Sequence, residues 1–244
     1  MPPLIKIMGE RNTGTNYVAK LVALNLEGEL AGTFPRVLTR LHLNPEWLRD
    51  AYFSLTFSDN LGWKHAMAPS REILERYGAG NVVFLTLTKN PYSWLLSMFK
   101  RPYHSARRFA TFEEFLRAPW PSVRRERYAK SFDNPMDMWN RKNASYLQLM
   151  NYAKGMALRY EDFLADPEGV IISIQRNLAL RRRSDKFVNI EQASKKRDAS
   201  LDFSYYRNYY LGEGWRKNLT QEQIHLINQH LDADLMNSFG YKKL

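Results

Sequence analysis

Leu4-Ile-Lys-Ile-Met-Gly-Glu-Arg-Asn-Thr-Gly-Thr-Asn-Tyr17 is the stretch that decides the fold of this chain. A strand-like apolar start is followed by a polar loop that holds Gly9 and Gly14, and then by the helical pattern of residues 17–26. Glycine lets a backbone approach an anion, and the N–H groups that open a helix supply donors and the positive end of its dipole. The stretch predicts a phosphate-binding turn, with an ordinary polar turn as the alternative.

This turn is not a Walker A loop. That pattern closes with Gly-Lys-Ser/Thr, whereas here Gly14 is followed by Thr15 and Asn16. The sequence therefore predicts that a phosphate is bound without the usual nucleotide-triphosphate machinery.

Strand-like and helical segments alternate along the chain. Residues 82–88, Val-Val-Phe-Leu-Thr-Leu-Thr, are apolar on both faces, as in the central strand of a parallel sheet. We predict strands at 4–8 and 155–159 as well, and helices at 17–26, 69–77, 92–100, 111–117, 135–153, 166–178 and 220–237. The alternation at Tyr52–Phe57 predicts a further strand, and residues 181–218 read as irregular.

These segments predict an α/β fold in a single domain over residues 1–244, with a parallel β-sheet flanked by helices. Ligands of such sheets bind at the carboxyl ends of the strands. Both the 9–16 loop and residues 89–97 fall there.

The formal charge is +11, and it is concentrated in two stretches. Residues 100–130 hold nine Lys or Arg against three acids, and residues 176–217 hold eleven against five. Such a distribution indicates an anionic ligand, nucleic acid or a membrane surface, with solvated basic faces as the alternative.

The chain has no cysteine, which excludes disulfides, thiolate catalysis and Cys-based zinc sites. The sequence shows no membrane-spanning run and no signal-peptide pattern at its start. We expect a cytoplasmic protein.

Three further segments carry chemistry. Lys89 follows the central strand and stands eight residues, about two helical turns, before Ser97, so the two side chains can share one side of a helix. Lys64 and His65 lie in Gly-Trp-Lys-His-Ala, just before a predicted helix. The basic, aromatic stretch 207–218, Arg-Asn-Tyr-Tyr-Leu-Gly-Glu-Gly-Trp-Arg-Lys-Asn, is predicted to be a loop suited to clamping a phosphate or a base.

In order and spacing these segments resemble the sulfotransferase superfamily, whose members transfer a sulfuryl group from 3′-phosphoadenosine 5′-phosphosulfate (PAPS). Residues 12–17 fit its P-loop-like Lys-Ser/Thr-Gly-Thr-Thr-Trp loop, and Lys89-Asn90-Pro91 with Ser97 fits its Arg-Asn-Pro…Ser motif. Residues 159–168, Arg-Tyr-Glu-Asp-Phe-Leu-Ala-Asp-Pro-Glu, and the 207–218 stretch are similar to two later family segments.

The resemblance implies a PAPS-binding site made of Asn12, Thr13, Gly14, Thr15, Asn16, Tyr17, Lys89, Ser97, Tyr160, Arg207, Arg216 and Lys217. Lys89, Ser97 and Arg207 would hold the 3′-phosphate, and Thr15 and Asn16 the 5′-phosphate. The product would be adenosine 3′,5′-bisphosphate (PAP). No His/Asp cluster has the spacing of metal ligands, so no metal is expected.

The resemblance also implies the catalytic groups. His65 would be the base that takes the proton of the acceptor. The catalytic lysine of the family is Asn12 here, so another cation must stabilise the leaving phosphate, and we predict Arg11, with Lys64 as the alternative.

The acceptor is expected to carry a hydroxyl or an amine. The basic segment 100–130 favours a glycan or glycolipid, and aromatic side chains that could stack on sugars are Trp63, Trp94, Tyr103, Phe109 and Trp120. The alternative functions are a catalytically impaired protein that binds PAPS or PAP, a P-loop nucleotide kinase, and a basic RNA-binding protein.

Overall fold

A parallel sheet lies at the centre of the computed structural model, which describes residues 2–32, 34–35, 37–38, 45–102, 108–192 and 200–244. The strands are β1 Leu4–Met8, β2 Glu29–Leu30, β3 Val82–Thr88, β4 Trp120–Pro121, β5 Ser131–Phe132 and β6 Gly155–Arg159. The sheet contains β2, β1, β3 and β6 in that order, all parallel, while β4 and β5 form a separate antiparallel pair.

The strand order creates a crevice at the carboxyl ends of the two central strands, β1 and β3. From β1 the chain continues through a helix to β2 on one side, and β3 lies on the other side of β1. Loops that leave β1 and β3 at their carboxyl ends therefore diverge to opposite faces, which is where open α/β sheets bind ligands.

Helices cover the sheet on both faces. They are α1 Thr15–Asn25, α2 Glu46–Leu55, α3 Phe57–Asn60, α4 Arg71–Arg76, α5 Pro91–Lys100, α6 Phe112–Arg117, α7 Pro135–Leu149, α8 Tyr160–Ala165, α9 Pro167–Leu178, α10 Phe203–Leu211, α11 Gln221–His230 and α12 Ala233–Ser238. Short 3-10 turns lie at Ala79–Asn81, Arg124–Glu126 and Arg216–Asn218.

The central strand shows how the two faces are filled. All seven residues of β3 are buried. Leu85 and Leu87 pack with residues of α1 and α9, whereas Phe84 packs with Tyr146 and Leu149 of α7. This alternation places helices on both faces, and the predicted α/β fold with a parallel sheet flanked by helices is confirmed. The extent of the domain, residues 1–244, stays a prediction.

The strand predicted at Tyr52–Phe57 is wrong. The segment lies in α2 and at the start of α3. Phe53 and Phe57 are both buried, whereas Leu55 between them is 84% exposed; in a strand all three would share one face, so this burial pattern is helical. The segment is too short for its alternation of apolar and polar residues to distinguish a strand from a helix.

The irregular structure predicted for residues 181–218 is wrong in its central part, which forms α10. Asp202 caps this helix by accepting a hydrogen bond from the backbone N–H of Tyr205 at 2.7 Å. None of its residues is fully buried, so it lacks the buried aliphatic stripe by which helices are most easily recognised in a sequence.

Candidate active site

A cavity of about 850 Å³ opens at the carboxyl ends of β1, β3 and β6. It collects most of the predicted site, although these residues are far apart in the chain. The predicted residues that line it are Arg11, Asn12, Gly14, Thr15, Asn16, Tyr17, Lys64, His65, Lys89, Ser97, Tyr160 and Lys217.

The turn between β1 and α1 is open to an anion. Gly14 has a φ of 91°, and a Cβ there would lie 2.4 Å from the Tyr160 ring, so only glycine fits. No side chain caps α1 and no acidic residue lies in its first turn. The positive end of the helix dipole is therefore uncompensated on the side that faces the cavity.

Lys89 is the cation at the end of the central strand, and it is 1% exposed. Its Nζ donates to Ser97 Oγ at 3.1 Å and lies 3.8 Å from the ring centre of Tyr210. Burial raises the pKa of Tyr210, but the charge of Lys89 and hydrogen bonds with Lys89 and Ser97 more than offset burial, and the net pKa is lowered. The cluster therefore favours negative charge.

His65 is held by the loop that precedes α1. Its Nδ1 lies 2.5 Å from the carbonyl oxygen of Gly9. A carbonyl only accepts, so Nδ1 carries the proton and Nε2 of the neutral ring keeps its lone pair. Burial, then the charges of Lys64 and Arg11, hold the pKa of His65 well below its usual range, against the effect of the Gly9 hydrogen bond. The ring is thus neutral and able to accept a proton at neutral pH.

Arg11 borders the cavity, but carboxylates engage its guanidinium. Nη1 lies 3.2 Å from Glu10 and Nη2 2.8 Å from Glu126, and all three side chains are buried. Lys142, fully buried on α7, also binds Glu10 and donates to the carbonyl oxygen of His65 at 2.7 Å. Burial raises the pKa of Glu10. The charges of Lys142 and Arg11 and their hydrogen bonds lower it by a larger amount, so the net pKa is lowered. These residues form a charged layer beneath the cavity.

Lys64 lies on the cavity side of that layer. Its Nζ donates to Asn16 Oδ1 at 2.5 Å, at the first turn of α1. Asn12 turns the other way, with Nδ2 3.3 Å from the Ser97 carbonyl oxygen. Its φ of 66° is a left-handed conformation that asparagine adopts more readily than most residues. The position that resembles the family lysine therefore holds a short amide that bridges to α5.

Three predicted residues do not line the cavity. Thr13 is buried and donates to the carbonyl oxygen of Glu10 at 2.6 Å. Arg207 is exposed on α10, in a helix where a loop was predicted. Arg216 is half exposed and pairs with Glu213 at 2.7 Å. Only Lys217 of the late basic group borders the cavity.

Sequence reasoning missed the aromatic wall that α10 supplies. Phe203, Tyr206 and Tyr210 line the cavity, and Phe203 stacks on Tyr17 with ring centres 6.2 Å apart. The signal was the run Phe-Ser-Tyr-Tyr-Arg-Asn-Tyr-Tyr at 203–210, in which Phe203, Tyr206 and Tyr210 have helical spacing.

Lys6 was also missed, because it lies inside the apolar run of β1. It is 2% exposed and donates to the carbonyl oxygens of Asn60 and Gly62. Burial, with a smaller effect of Lys64, lowers its pKa to about 7. Lys6 thereby ties the sheet to the segment that carries Lys64 and His65.

Of the aromatic residues that could stack on a sugar, Trp63 lines the cavity. Trp94 and Trp120 are fully buried in the core, and Phe109 packs against it. Tyr103 lies outside the described residues.

The electrostatics of the cavity are one-sided. Its described lining contains seven lysines and arginines and no aspartate or glutamate. No group of three or more acidic or histidine side chains that could hold a metal occurs within the described ranges. None of the helices in that part of the chain is long and apolar enough to cross a membrane.

Comparison with solved structures finds sulfotransferases. A crystal structure of mouse sulfotransferase SULT7A1 complexed with PAP covers 97% of this chain and 84% of its own, with a TM-score of 0.50 and 13% identity. The sulfotransferase domain from the curacin biosynthetic pathway covers 100% and 99%, with a TM-score of 0.46 and 14% identity. No protein-family model and no curated protein matches the sequence. The likeness to SULT7A1 shows a sulfotransferase-like fold.

Proposed function

We propose that this chain is a sulfotransferase that moves a sulfuryl group from PAPS to a hydroxyl-bearing acceptor. One observation carries the proposal: a single cavity brings together the Lys89–Ser97 pair, the uncapped start of α1 and the oriented ring of His65. These are a phosphate site, a second anion site and a base, and the fold is sulfotransferase-like.

The nucleotide end of the cavity fits an adenosine with two phosphate groups. Lys89 and Ser97 offer a charge-assisted and a neutral hydrogen bond to the 3′-phosphate, and each charged contact is worth about 1.5–3 kcal/mol. The backbone N–H groups that open α1 face the 5′-phosphate. Tyr17, Phe203 and Tyr206 offer aromatic faces to the base.

At the transfer end, His65 removes the proton of the acceptor through Nε2, because Nδ1 is bound to Gly9. Sulfuryl transfer resembles phosphoryl transfer, in which catalysis is mostly positioning and stabilisation of charge on the leaving group. A cation near the start of α1 is therefore the remaining requirement.

Lys64 meets that requirement better than Arg11, and the order that the sequence favoured is reversed here. Moving the Arg11 guanidinium would weaken its pairing with Glu10 and Glu126, and breaking a buried pair costs about 3–5 kcal/mol. Lys64 lies at the helix start, where it donates to the neutral amide oxygen of Asn16. An anion bound at the start of α1 would take the place of this neutral acceptor.

A second candidate is a protein that binds PAP without transferring sulfuryl groups. Asn12, which stands where the family has its catalytic lysine and bonds to the Ser97 carbonyl oxygen, favours this alternative. Both candidates share the nucleotide site and differ only in turnover.

Release of PAP from PAPS, followed with a panel of phenols, sterols and glycosides, tests the proposal. We expect release that depends on an acceptor, with a slight preference for glycans or glycolipids, and its loss in His65→Ala. Binding of PAP without acceptor-dependent release from any member of the panel would favour the binding protein and contradict the enzyme.

A further inference from the structure

A second cavity, of about 280 Å³, lies against the first and shares Trp63 with it. Its described lining contains four arginines and no aspartate or glutamate. The rest of its wall is largely aromatic, with Phe53, Phe57 and Tyr77 beside Trp63. We call it the arginine pocket.

The four arginines are not equivalent. Arg125 is buried, and its charge is balanced by Glu46 at 2.5 Å and Asp50 at 2.8 Å. Arg76, Arg124 and Arg127 make no ion pair with any residue that the structure describes. Three like charges around one concavity repel each other and are stabilised by an anion placed between them.

The local backbone sets Arg124 and Arg127 on the same cavity. Arg124 begins the 3-10 turn Arg124–Glu126 and Arg127 follows it, while Arg125 and Glu126 between them are buried. Arg127 follows the turn in a left-handed conformation, with a φ of 60°, which is unfavourable for an arginine. Its guanidinium lies 4.7 Å from the ring centre of Phe57. Contact with the Phe57 ring thus orients a side chain that is otherwise exposed.

The position of the pocket relates it to catalysis. Trp63 is its common wall with the large cavity, and the ring centres of Trp63 and His65 are 5.0 Å apart. The two cavities are therefore separated by about the width of one indole ring.

We propose that the arginine pocket binds an anionic group of the acceptor, a sulfate, phosphate or carboxylate on an aromatic or sugar body. The planar forks of Arg76, Arg124 and Arg127 match the paired oxygens of such groups, and the aromatic wall packs against the body. The pocket itself is a property of the free protein, and only its use for the acceptor rests on the proposed function.

Naphthalene-2-sulfonate is a suitable probe, and calorimetry without nucleotide is the first measurement. We expect binding to the wild-type protein that weakens roughly ten-fold or more in Arg76→Gln/Arg127→Gln. Arg176→Gln, an exposed arginine on α9, is the matched control and should bind as the wild type does. Equal affinity in the double variant, displacement of the probe by PAP, or no binding at millimolar concentrations would overturn the pocket.

The second measurement compares acceptors. With PAPS saturating, the double variant should raise KM for an anionic acceptor and leave KM for its neutral analogue unchanged. An equal change for both acceptors would overturn the assignment to the acceptor. Affinity for PAP, measured on the same preparations, reports separately on the proposed function.

Discussion

The ring of His65 is oriented by a hydrogen bond to one main-chain carbonyl, that of Gly9, and its pKa is lowered by burial beside cations. The same loop thus supplies both the proposed anion-binding turn and the orientation of the proposed base. Single substitutions at His65, Lys64 and Arg11 test these roles separately.

Replacing His65 with alanine should reduce kcat by about 10²–10⁴, since this is the usual contribution of a general base. Affinity for PAP should stay within a few-fold, because the base faces the acceptor. Stopped-flow turnover and calorimetry measure the two effects. His225→Ala, an exposed histidine on α11, is the control, and near-normal turnover of His65→Ala would remove the base from the mechanism.

The lowered pKa of His65 can be observed directly. In an NMR titration of the nucleotide-free protein, we expect its midpoint below 6.5, so the neutral form persists into mildly acidic solution. Lys64→Ala should move the midpoint upward, because the charge of Lys64 lowers it. A midpoint at or above 6.5 would contradict the burial and charge seen around the ring.

We expect Lys64 to affect sulfuryl transfer and Arg11 to affect stability. Lys64→Ala should slow single-turnover transfer about a hundred-fold or more at unchanged stability. Arg11→Ala should instead lower the free energy of unfolding by about 3 kcal/mol or more, because it leaves Glu10 and Glu126 with less compensation. Lys154→Ala, an exposed lysine at the opposite end of β6, is the control. A stable Arg11→Ala variant with slow transfer and a normal Lys64→Ala would restore the opposite assignment.

Strand β1 joins the sheet to the site through the buried Lys6. Its pKa of about 7 lies below the value near 10.4 of an unfolded chain. Between these values the unfolded state binds the proton and the folded state does not, so Lys6 makes stability rise with pH, by up to about 1.4 kcal/mol per pH unit.

Urea unfolding at pH 7 to 10 measures this effect. The free energy of unfolding of the wild type minus that of Lys6→Met should increase with pH across this range, since other titrating groups are common to both proteins. A flat or falling difference would show that the folded state keeps Lys6 protonated.

Elements with a strong period could be predicted from the sequence, and elements without one could not. The eight-residue spacing from Lys89 to Ser97 needs only the rise of a helix, and the two side chains do meet. The helix α10 has no fully buried residue, and its stripe is made of the half-buried aromatic residues Phe203, Tyr206 and Tyr210, which is a weaker signal than an aliphatic stripe. The pairing of Arg11 with Glu126 joins residues 115 positions apart and depends on how α7 and the 124–126 turn pack.

At the scale of the whole molecule, the parallel sheet determines where the chemistry lies. Three strands end at the same edge, and their carboxyl ends deliver the 9–14 loop, Lys89 and Tyr160 to one cavity. Lys154, the control residue, lies at the opposite, amino end of β6. A positive cavity at one end of the sheet is therefore a consequence of the topology, and what fills it is the central question.

Calorimetry of PAP against AMP answers that question most directly. We predict that PAP binds far more tightly than AMP, because the proposed site for the 3′-phosphate is formed by Lys89 and Ser97. We predict further that Lys89→Ala weakens PAP about ten-fold or more and leaves AMP nearly unchanged, with Lys154→Ala behaving as the wild type. Equal affinity for PAP and AMP in the wild-type protein would contradict the proposed site.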